Sequence, residues 1–508
     1  MNYALHSIAL TGLEGRLVRV EVDIQRGLPI FQIVGLADKA VQEARVRVTS
    51  AIKNAGFKMP LGKVYVNLAP ADILKTGSCY DLPIALAILM ASNQIRPVDP
   101  QACFWGELAL SSETCATAGA LAVTIAAKDF GLKTIYLPHI NAPEAGIVAG
   151  INIKPLKTLT QLRKSNAVNS GVPFRSPINN KPSFKEGFNY LTLNGHEMAK
   201  RGLAISAAGG HNIIFSGPPG TGKSMLGKAL RELLPDLSER ESFEVMKVYS
   251  VAGLLNGRSY IERPFRSPHH TISKTALIGG GANPQPGEIS LAHKGVLFLD
   301  EFLEFNPSTL DSLRQPLEDK YIDISRLKQV VRLPSDFILA AAINPCKCGY
   351  FGDKSINCVC SASEIERYRR KITGPIIDRI DIRIWVPRID SKELLKNDIL
   401  TQDLKKKDFV KVKEDITEAR DRQFFNSLKR WKRELTNSEL STKQILECID
   451  LNSRSESLIE LADKKYHLSS RAIIKCLKVA KTIAELEKKD SPDEENICEA
   501  LSLRTNNW

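Results

Sequence analysis

The feature that most constrains this chain is the octapeptide at residues 217–224, Gly-Pro-Pro-Gly-Thr-Gly-Lys-Ser. An apolar, strand-like run precedes it at residues 212–216, and a helical run follows at residues 225–234. In that setting a glycine-rich loop exposes backbone N–H groups that hold phosphate oxygens, and the helix N-terminus adds the positive end of its dipole. The octapeptide therefore predicts an ATP site at the edge of an α/β sheet.

The residues of this loop have separate expected roles in holding a triphosphate. Lys223 is expected to contact the β- and γ-phosphates, and the hydroxyl of Ser224 is expected to ligate Mg²⁺. The backbone of the other residues is expected to line the phosphates. The predicted ATP-binding residues are Gly217, Pro218, Pro219, Gly220, Thr221, Gly222, Lys223 and Ser224.

A second apolar run, at residues 295–299, ends in the acidic pair Asp300 and Glu301. Such a run is typical of a central parallel strand, which delivers the residues after it to the carboxyl edge of the sheet. Asp300 is expected to position Mg²⁺, and Glu301 to orient and activate the attacking water. A third apolar run, at residues 337–343, ends at Asn344, whose amide is suited to hold the water or the γ-phosphate. The alternative is a turn residue before proline.

Composition bounds the class of protein. The 508 residues are 43% hydrophobic and 25% charged, as in soluble globular proteins. No apolar run approaches the roughly 20 residues that a bilayer span needs, and the N-terminus lacks the order of a secretory signal. A cytoplasmic protein without membrane contact is therefore expected. The formal net charge of +13 favours polyanionic partners, although a basic, solvated surface explains it equally well.

Hydrophobic periodicity divides the chain into four segments. Residues 1–162 alternate strand-like and helical runs, which predicts a compact α/β domain. Residues 163–187 are rich in Asn, Ser, Pro and basic residues and lack periodicity, which predicts a linker. Residues 188–388 form a second predicted α/β domain, and residues 389–508 have a charged, helical pattern. The predicted fold class is α/β with a helical C-terminal region.

Further motifs are distributed along nearly the whole chain. They are Gly-Leu-Ala at residues 35–37, Asp-Leu-Pro-Ile-Ala at 81–85, Ala-Ala-Gly-Gly-His-Asn at 207–212, Phe-Arg-Ser-Pro-His-His-Thr at 265–271, Gly-Gly-Gly at 279–281, Pro-Gly-Glu-Ile-Ser-Leu-Ala-His at 286–293, Leu-Arg-Gln-Pro-Leu-Glu at 313–318, Ala-Ile-Asn-Pro-Cys-Lys-Cys-Gly at 342–349 and Gly-Pro-Ile-Ile-Asp-Arg-Ile-Asp at 374–381. With the phosphate loop, this pattern resembles the AAA+ ATPases of the magnesium-chelatase-like branch, and more narrowly the ComM/YifB competence-protein family.

The resemblance implies a fold and roles that spacing alone does not. It implies a Lon-protease-like domain at residues 1–162, an AAA+ core at 188–388 and a helical lid at 389–508. Asn344 matches the sensor-1 position, Arg379 the arginine finger and Arg471 sensor 2 in the lid. A finger that acts in the neighbouring subunit's site implies a ring, so a homo-hexamer is expected. Without the resemblance, an ordinary surface ion pair is the better explanation of each arginine.

The function that the resemblance implies is ATP-dependent DNA translocation. More specifically, the resemblance implies a hexameric helicase that acts on single-stranded or branched DNA. This helicase would promote branch migration during recombination of incoming DNA in natural transformation. Recombination proteins would then be further partners. The alternative is a magnesium-chelatase-like motor that uses the same ATP site to remodel a protein partner.

A third hypothesis, an ATP-dependent protease, follows from the Lon-like N-terminal domain. Lon-type proteolysis uses a Ser–Lys pair, and the alignment places Cys79 at the nucleophile position and Leu121 at the lysine position. A thiol without its base is not activated for attack on a peptide. The N-terminal domain is therefore expected to be catalytically inactive, and the adjacent Ser78 lacks the lysine too.

Two basic segments are candidates for contacting DNA. Residues 318–336 alternate apolar and polar residues around a basic middle, which predicts a β-hairpin. In this branch a hairpin at that place points into the ring channel, so Arg326 and Lys328 are candidate DNA contacts. A solvated edge hairpin protected by its charge is an equal alternative. Residues 405–433 interleave Lys and Arg with aromatic residues, which suits stacking on bases, but an amphipathic helix is the better interpretation.

Four clustered cysteines form two C-x-C pairs separated by a short, glycine-containing loop. Four thiolates brought together across a hairpin can form a tetrahedral zinc site, which would close a loop too polar to build a core. The alternatives are four reduced thiols or a redox-labile pair. The predicted structural zinc ligands are Cys346, Cys348, Cys358 and Cys360.

Overall fold

A computed structural model of the protein describes residues 3–163, 188–255, 258–281, 284–326, 329–371, 374–389 and 399–505. Apart from its first residue, the predicted linker at 163–187 lies outside the described residues. Within the described ranges no helix is long and apolar enough to cross a membrane.

The N-terminal segment alternates strands and helices, as its periodicity predicts. Its elements are β1 (Tyr3–Thr11), β2 (Glu14–Gln25), β3 (Ile30–Val34), α1 (Lys39–Asn54), β4 (Lys63–Ala69), α2 (Asp81–Ala91), β5 (Ala102–Phe104), β6 (Glu107–Leu108), β7 (Thr114–Cys115), α3 (Ala120–Asp129), β8 (Thr134–Pro138), α4 (Ala142–Ala145) and β9 (Asn152–Leu156).

A mixed sheet organises this segment, with strands in the order β3-β4-β2-β1-β5-β8-β9. The β1–β2 and β2–β4 pairs are antiparallel, and β3–β4, β1–β5, β5–β8 and β8–β9 are parallel. Helices α2 and α3 pack on β1 and β2. Because α2 is apolar around its whole circumference, it is buried on every side, as such a helix must be.

The central segment contains the phosphate loop and the acidic strand. Its elements are α5 (Phe188–Thr192), α6 (Glu197–Gly209), β10 (Ile213–Ser216), α7 (Lys223–Leu233), α8 (Glu239–Val251), β11 (Phe265–Arg266), α9 (Lys274–Ile278), β12 (Gly279–Gly280), β13 (Gln285–Pro286), α10 (Glu288–Leu291), β14 (Val296–Leu299), α11 (Pro307–Asp311), α12 (Arg314–Asp319), β15 (Tyr321–Arg326), β16 (Gln329–Pro334), β17 (Ile338–Ile343), α13 (Ala362–Arg369), α14 (Gly374–Ile377) and β18 (Ile382–Trp385).

An all-parallel sheet in the order β11-β14-β17-β10-β18 forms the centre of this segment. Strands β10, β14 and β17 are buried at every position, which explains their unbroken apolar sequences. Ligands of open α/β sheets bind beyond the carboxyl ends of the strands, where the strand order reverses. The loop after β10 therefore lies beside the residues that follow β14 and β17.

From residue 399 onward the described chain is helical, as its pattern predicts. Its helices are α15 (Ile399–Trp431), α16 (Thr442–Cys448), α17 (Ser453–Tyr466), α18 (Ser470–Leu486) and α19 (Glu494–Thr505). Helices α15 and α18 both pack on α6 of the central segment, and α19 packs on β18. The α/β fold class with a helical C-terminal region is confirmed.

Candidate nucleotide site and four-cysteine loop

The phosphate loop connects β10 to α7 and depends on glycine for its path. A Cβ on Gly217 would lie 2.2 Å from the carbonyl oxygen of Val386, so no larger residue fits there. Gly220 and Gly222 have φ of +78° and +83°, which disfavours other residues. Gly222 is also the N-cap of α7, so the helix begins at Lys223, two residues earlier than the sequence predicts. The N–H groups of Lys223 and Ser224, which open this helix, are therefore available to phosphate oxygens.

Lys223 folds back over this loop. Its ammonium donates to the carbonyl oxygens of Gly217 and Pro218, both at 2.7 Å, and to Oδ1 of Asn344 at 3.3 Å. Burial lowers the pKa of Lys223 to about 8, although the charge of Asp300 partly opposes this effect. The ammonium thus contacts neutral acceptors, and the charged oxygens of a phosphate can take their place.

Asp300 and Glu301 follow β14 and emerge next to the phosphate loop. The hydroxyl of Ser224 donates to Oδ2 of Asp300 at 2.6 Å. A carboxylate and a hydroxyl at this separation can both ligate one Mg²⁺ ion, because oxygen donors are the ligands this ion prefers. Glu301 has a left-handed φ of +50° and a side chain that is 55% exposed. Its carboxylate is therefore accessible to water at the same edge of the sheet.

Asn344 follows β17, which lies between β10 and β14 in the sheet. Its hydrogen bond with Lys223 places its amide beside the phosphate loop. The structure thus brings five predicted site residues to one edge. They are Lys223, Ser224, Asp300, Glu301 and Asn344.

Arg379 and Arg471 lie elsewhere and meet at a single carboxylate. Nη2 of Arg379 lies 2.7 Å from Oε2 of Glu318, and Arg379 also donates to the carbonyl of Pro375 at 2.5 Å. The guanidinium of Arg471 contacts Oε1 of the same Glu318. Burial lowers the pKa of Arg379, and the positive charge of Arg314 adds to this effect. In the part of the chain that the structure describes, neither arginine is hydrogen-bonded to the phosphate loop.

The backbone of Arg379 is held by residues that sequence reasoning missed. Its carbonyl accepts from Nζ of Lys475 at 2.9 Å and from Nδ2 of Asn212 at 3.0 Å. Lys475 also pairs with the buried Asp381 at 2.5 Å. A signal was present in the sequence, because Lys475 lies four residues after Arg471 and thus on the same face of α18.

The four cysteines of the loop after β17 come together. Their Sγ atoms all lie within 4.8 Å of one another, and three of the separations are 3.3, 3.5 and 3.6 Å. A tetrahedral zinc–thiolate site with Zn–S distances of about 2.3 Å holds its sulfurs about 3.8 Å apart. The backbone N–H of Phe351 also donates to Sγ of Cys346 at 3.4 Å, which suits a thiolate. The four-cysteine cluster is thus compatible with a metal ion.

This four-cysteine loop contacts the phosphate loop. A Cβ on Gly349 would lie 2.8 Å from Cδ of Pro219, so the two loops are in close van der Waals contact. Arg388, beyond β18, pairs with Asp353 of the four-cysteine loop at 2.8 Å. The four-cysteine loop is therefore part of the wall of the nucleotide site.

The predicted hairpin is present as the antiparallel pair β15–β16. The side chain of Arg326 and all of Lys328 lie outside the described residues, so their proposed DNA contacts stay predictions. The described part of the hairpin carries an ion pair between Arg332 and Asp323 at 2.9 Å, with the guanidinium over the ring of Tyr321. Residues 405–431, most of the second basic segment, lie in the long helix α15, in agreement with the amphipathic-helix interpretation.

Cys79 in the N-terminal domain is buried, and burial raises the pKa of its thiol to about 12. Leu121 is also buried, and its backbone N–H donates to the hydroxyl of Ser250 in α8 at 3.2 Å. The nearby Lys75 is buried as well and its ammonium contacts the carbonyl of Pro70. At neutral pH the Cys79 thiol is therefore protonated.

The strand order and the residues at the carboxyl edge define an AAA+ protein of the magnesium-chelatase type. Three family models agree: magnesium chelatase, subunit ChlI, matches residues 190–394; subunit ChlI of Mg-chelatase matches 20–141; and magnesium chelatase, subunit ChlI C-terminal, matches 407–504. Competence protein ComM of Haemophilus influenzae is 38% identical over 506 residues, which cover 98% of this chain and 97% of that protein. The chain therefore belongs to the ComM/YifB family of magnesium-chelatase-like AAA+ proteins.

Other relatives extend the comparison. Uncharacterized protein YifB of Escherichia coli is 38% identical over 512 residues, covering 98% of this chain and 96% of its own length. DNA replication licensing factor mcm2 of Xenopus laevis is 28% identical over 205 residues, which are 38% of this chain and 20% of that protein. The predicted fold is thereby confirmed: a Lon-protease-like α/β domain, an AAA+ core and a helical lid.

Proposed function

We propose that the protein is an ATP-hydrolysing DNA motor that promotes branch migration during recombination of incoming DNA. The observation that carries the ATPase is the hydrogen bond of 2.6 Å between Ser224 and Asp300, beside a lysine held at 3.3 Å from Asn344. A Mg²⁺ ligand pair, a phosphate-binding lysine and a polar amide are the parts that phosphoryl transfer requires.

The chain's own residues have distinct tasks in this hydrolysis. Lys223 exchanges its carbonyl acceptors for β- and γ-phosphate oxygens, and Ser224 and Asp300 hold Mg²⁺, which supplies charge neutralisation of the phosphates. Glu301 accepts a proton from the water that attacks the γ-phosphorus, as the bond from that phosphorus to ADP breaks. Asn344 donates its amide to the water or to the γ-phosphate.

A homo-hexameric ring completes the proposal. Among the hydrogen bonds of the described residues, none joins an arginine to the phosphate loop, where an arginine could neutralise charge in the transition state. Arg379 and Arg471 instead both contact Glu318. Two guanidinium groups on one patch suit an anionic group supplied by a neighbouring subunit. We assign Arg379 as the arginine finger and Arg471 as sensor 2.

DNA is the proposed track for three reasons. The net charge of +13 favours a polyanion. The β15–β16 hairpin stands directly before the strand that ends at Asn344, so movement at the ATP site can reach it. A relative that matches over almost the full length is named a competence protein, and another relative is named a DNA replication licensing factor. The proposed DNA contacts are Arg326 and Lys328.

The remaining parts have structural roles in this proposal. The N-terminal domain is catalytically inactive, because Cys79 is protonated and Leu121 has no amine. The four cysteines hold a structural zinc ion that braces the wall of the nucleotide site. The segment boundaries at residues 162, 187 and 388 separate these units.

The test is ATP hydrolysis measured with single-stranded, duplex and four-way-junction DNA. Lys223→Ala is the blank, and Lys228→Ala is the matched control, because Lys228 is exposed on the same helix about one turn further on. We expect DNA to stimulate hydrolysis by the wild type and by the control but not by the blank. Strongest stimulation by the junction supports branch migration.

Hydrolysis that no DNA changes would overturn the DNA part of the proposal and leave the ATPase intact. It would favour a motor that remodels a protein partner, in line with the match to magnesium-chelatase subunits. Hydrolysis that survives Lys223→Ala would overturn the ATPase assignment itself.

A further inference from the structure

A cavity of about 910 Å³ lies between the helical lid and the amino edge of the central sheet. Gly295 and Phe337, the residues directly before β14 and β17, line one wall of it. The ATP site lies beyond the opposite, carboxyl ends of the same strands. This core–lid cavity is therefore a separate compartment, and its volume is in the range of pockets that hold small organic ligands.

The lid side of the core–lid cavity is one face of the long helix α15. Thr417, Arg420, Phe424 and Leu428 line it at spacings of three and four residues, so their side chains share that face. A guanidinium group and an aromatic ring thus stand next to each other along the helix. They belong to the basic and aromatic segment 405–433, which the ATP site does not use.

Arg420 brings a buried positive charge to this face. It is 8% exposed, and its Nε donates to the carbonyl oxygen of Ala207 in α6 at 2.8 Å. Among the described residues this is the one hydrogen bond that its guanidinium makes, so both Nη groups are left to face the cavity. Burial lowers the pKa of Arg420 to about 10, and the charge of Arg263 adds to this effect. The guanidinium still carries its charge at neutral pH, and a buried charge without a partner is unfavourable.

The nearby acids that could balance Arg420 already have partners. Oε2 of Glu241 lies 3.3 Å from Nη2 of Arg263. Oε2 of Glu439 accepts from the backbone N–H of Thr436 at 2.8 Å and from its hydroxyl at 2.9 Å. Arg420 is therefore left for an anion that enters the cavity from solvent.

The wall that the core contributes adds positive charge. Lys294 and Lys320 line it, and both pair with the one carboxylate of Asp336, at 2.7 and 3.2 Å. Two ammonium groups against one carboxylate leave an excess of positive charge on this wall. At the mouth of the cavity the exposed acids and bases balance, and they are Asp236, Asp421, Glu434, Arg240, Lys432 and Arg433. The interior of the cavity thus favours an anion.

We propose that the core–lid cavity binds a nucleoside phosphate, with the two Nη groups of Arg420 on its phosphate oxygens and the ring of Phe424 stacked on its base. A guanidinium fork matches two oxygens of one phosphate group, and an aromatic ring can stack on any nucleobase. The bound ligand bridges α15 of the lid and the strands of the core. The site does not depend on the proposed ATPase, because neither residue belongs to the phosphate loop or to the acidic strand.

Two substitutions separate the ligand contacts from the packing of α15. Arg420→Gln removes both Nη groups, but its amide nitrogen takes the position of Nε and can still donate to Ala207. Phe424→Leu keeps an apolar side chain and removes the ring. Arg422→Gln is the matched control, because Arg422 lies on another face of the same helix and pairs with Glu418 at 3.6 Å.

The measurement is equilibrium dialysis of the full chain with ADP, with pyrophosphate and adenosine as competitors. We expect the wild type and Arg422→Gln to bind two ADP molecules per chain, one of them at the phosphate loop. Lys223→Ala should weaken that first site, and Arg420→Gln should weaken the second about 10- to 100-fold, as loss of charge-assisted hydrogen bonds does. At the second site Phe424→Leu should weaken the binding of ADP but not of pyrophosphate, and adenosine should compete poorly.

One ADP per wild-type chain, lost in Lys223→Ala and unchanged in Arg420→Gln, would overturn the cavity site and leave the ATPase standing. Pyrophosphate that binds the second site as tightly as ADP, or unchanged ADP affinity there in Phe424→Leu, would overturn recognition of a nucleoside. If Arg420→Gln lowers the melting temperature and loses both sites, Phe424→Leu decides by the same criterion. Loss of ATP hydrolysis or of DNA stimulation with the second ADP site intact would overturn the proposed function and support a separate cavity site.

Discussion

Arg379 and Glu318 form an ion pair of 2.7 Å within one chain, and Arg471 contacts the other oxygen of the same carboxylate. The Arg379 side chain is only 11% exposed and the Glu318 side chain is 39% exposed, so this contact is partly shielded from solvent. If both arginines serve a neighbouring subunit, Glu318 holds them until an anionic phosphate competes for the same guanidinium groups. Glu318 is then their resting counter-ion rather than a part of the chemistry.

Arg379→Ala should therefore lower the rate of ATP hydrolysis while leaving nucleotide binding intact. The loss should be about 10³-fold or more, the magnitude that an arginine finger contributes. Arg370→Ala is the control, because Arg370 is exposed and pairs with Glu366 of its own helix turn. Steady-state kinetics and binding of a fluorescent nucleotide together check the prediction.

Action in trans has its own test, which uses two inactive variants. The Lys223→Ala chain has an intact Arg379, and the Arg379→Ala chain has an intact phosphate loop. In a mixed ring, some interfaces join the phosphate loop of an Arg379→Ala chain to the intact Arg379 of a Lys223→Ala chain. Mixing should therefore restore part of the ATP hydrolysis. No recovery on mixing, despite co-assembly measured by mass, would contradict a finger that acts between subunits.

The nucleotide site was largely predictable because the residues that form it belong to short, contiguous motifs. Gly220 and Gly222 supply backbone torsions that other residues avoid, and the apolar residues of β14 and β17 mark buried parallel strands that end at Asp300 and Asn344. Parallel pairing then brings those ends to one edge. The cysteine cluster was predictable for a similar reason, since two closely spaced pairs flank a short loop.

The contacts that were missed depend on pairing between distant segments. Strand β11 has two residues and leaves no periodic signal, so the pairing with β14 that places Nδ1 of His270 3.3 Å from Oε2 of Glu301 has no trace in the sequence. The bond from Lys475 to the carbonyl of Arg379 depends on how α18 docks against the end of the sheet. The candidate DNA contacts Arg326 and Lys328 stay predictions.

The pKa of about 8 that burial imposes on Lys223 predicts a proton linkage. Triphosphate charge beside the ammonium should raise its pKa, so ATP binding near pH 8 should take up a proton. Affinity should be highest below pH 8 and should fall as the pH rises through that value, because the free enzyme then loses the proton that the complex needs. Calorimetry at pH 8 in buffers of different ionisation enthalpy measures the uptake.

Lys478 supplies the control for this linkage, because burial lowers its pKa to about 8 as well. Lys478 lies in the lid and donates to the carbonyl of Ser438, not to the phosphate loop. The Lys478→Gln variant should retain the proton uptake if Lys223 is its source. Loss of the uptake in that variant would assign it to the lid instead.

Removal of the proposed zinc ion should weaken ATP binding through the contact between Gly349 and Pro219. Cys348→Ser should lower the metal content, which is expected to be one zinc ion per chain by elemental analysis, and should reduce nucleotide affinity several-fold. Cys498→Ser, an exposed cysteine outside the cluster, should change neither. A metal-free wild type with full ATP affinity would contradict the bracing role.

His211 lies two residues before the start of β10, and its ring joins the AAA+ core to the lid. Its ring is buried, and Nε2 lies 2.8 Å from the hydroxyl of Thr482 on α18. Burial lowers the pKa of His211 from 6.5 to about 4, because the charged ring cannot be hydrated there. The folded protein therefore keeps His211 neutral where the unfolded chain binds a proton.

The sign of the resulting pH dependence follows from linkage. Between pH 6.5 and 4 the unfolded state holds more protons at this position, so the free energy of unfolding should fall as the pH falls through that window. The shift corresponds to about 3 kcal/mol at 1.36 kcal/mol per pKa unit. Urea unfolding at pH 7 and pH 5 should show a smaller acid loss for His211→Gln than for the wild type, whereas His139→Gln, at an exposed position, should match the wild type. Equal acid losses in all three proteins would show that His211 does not couple the lid to the core by staying neutral.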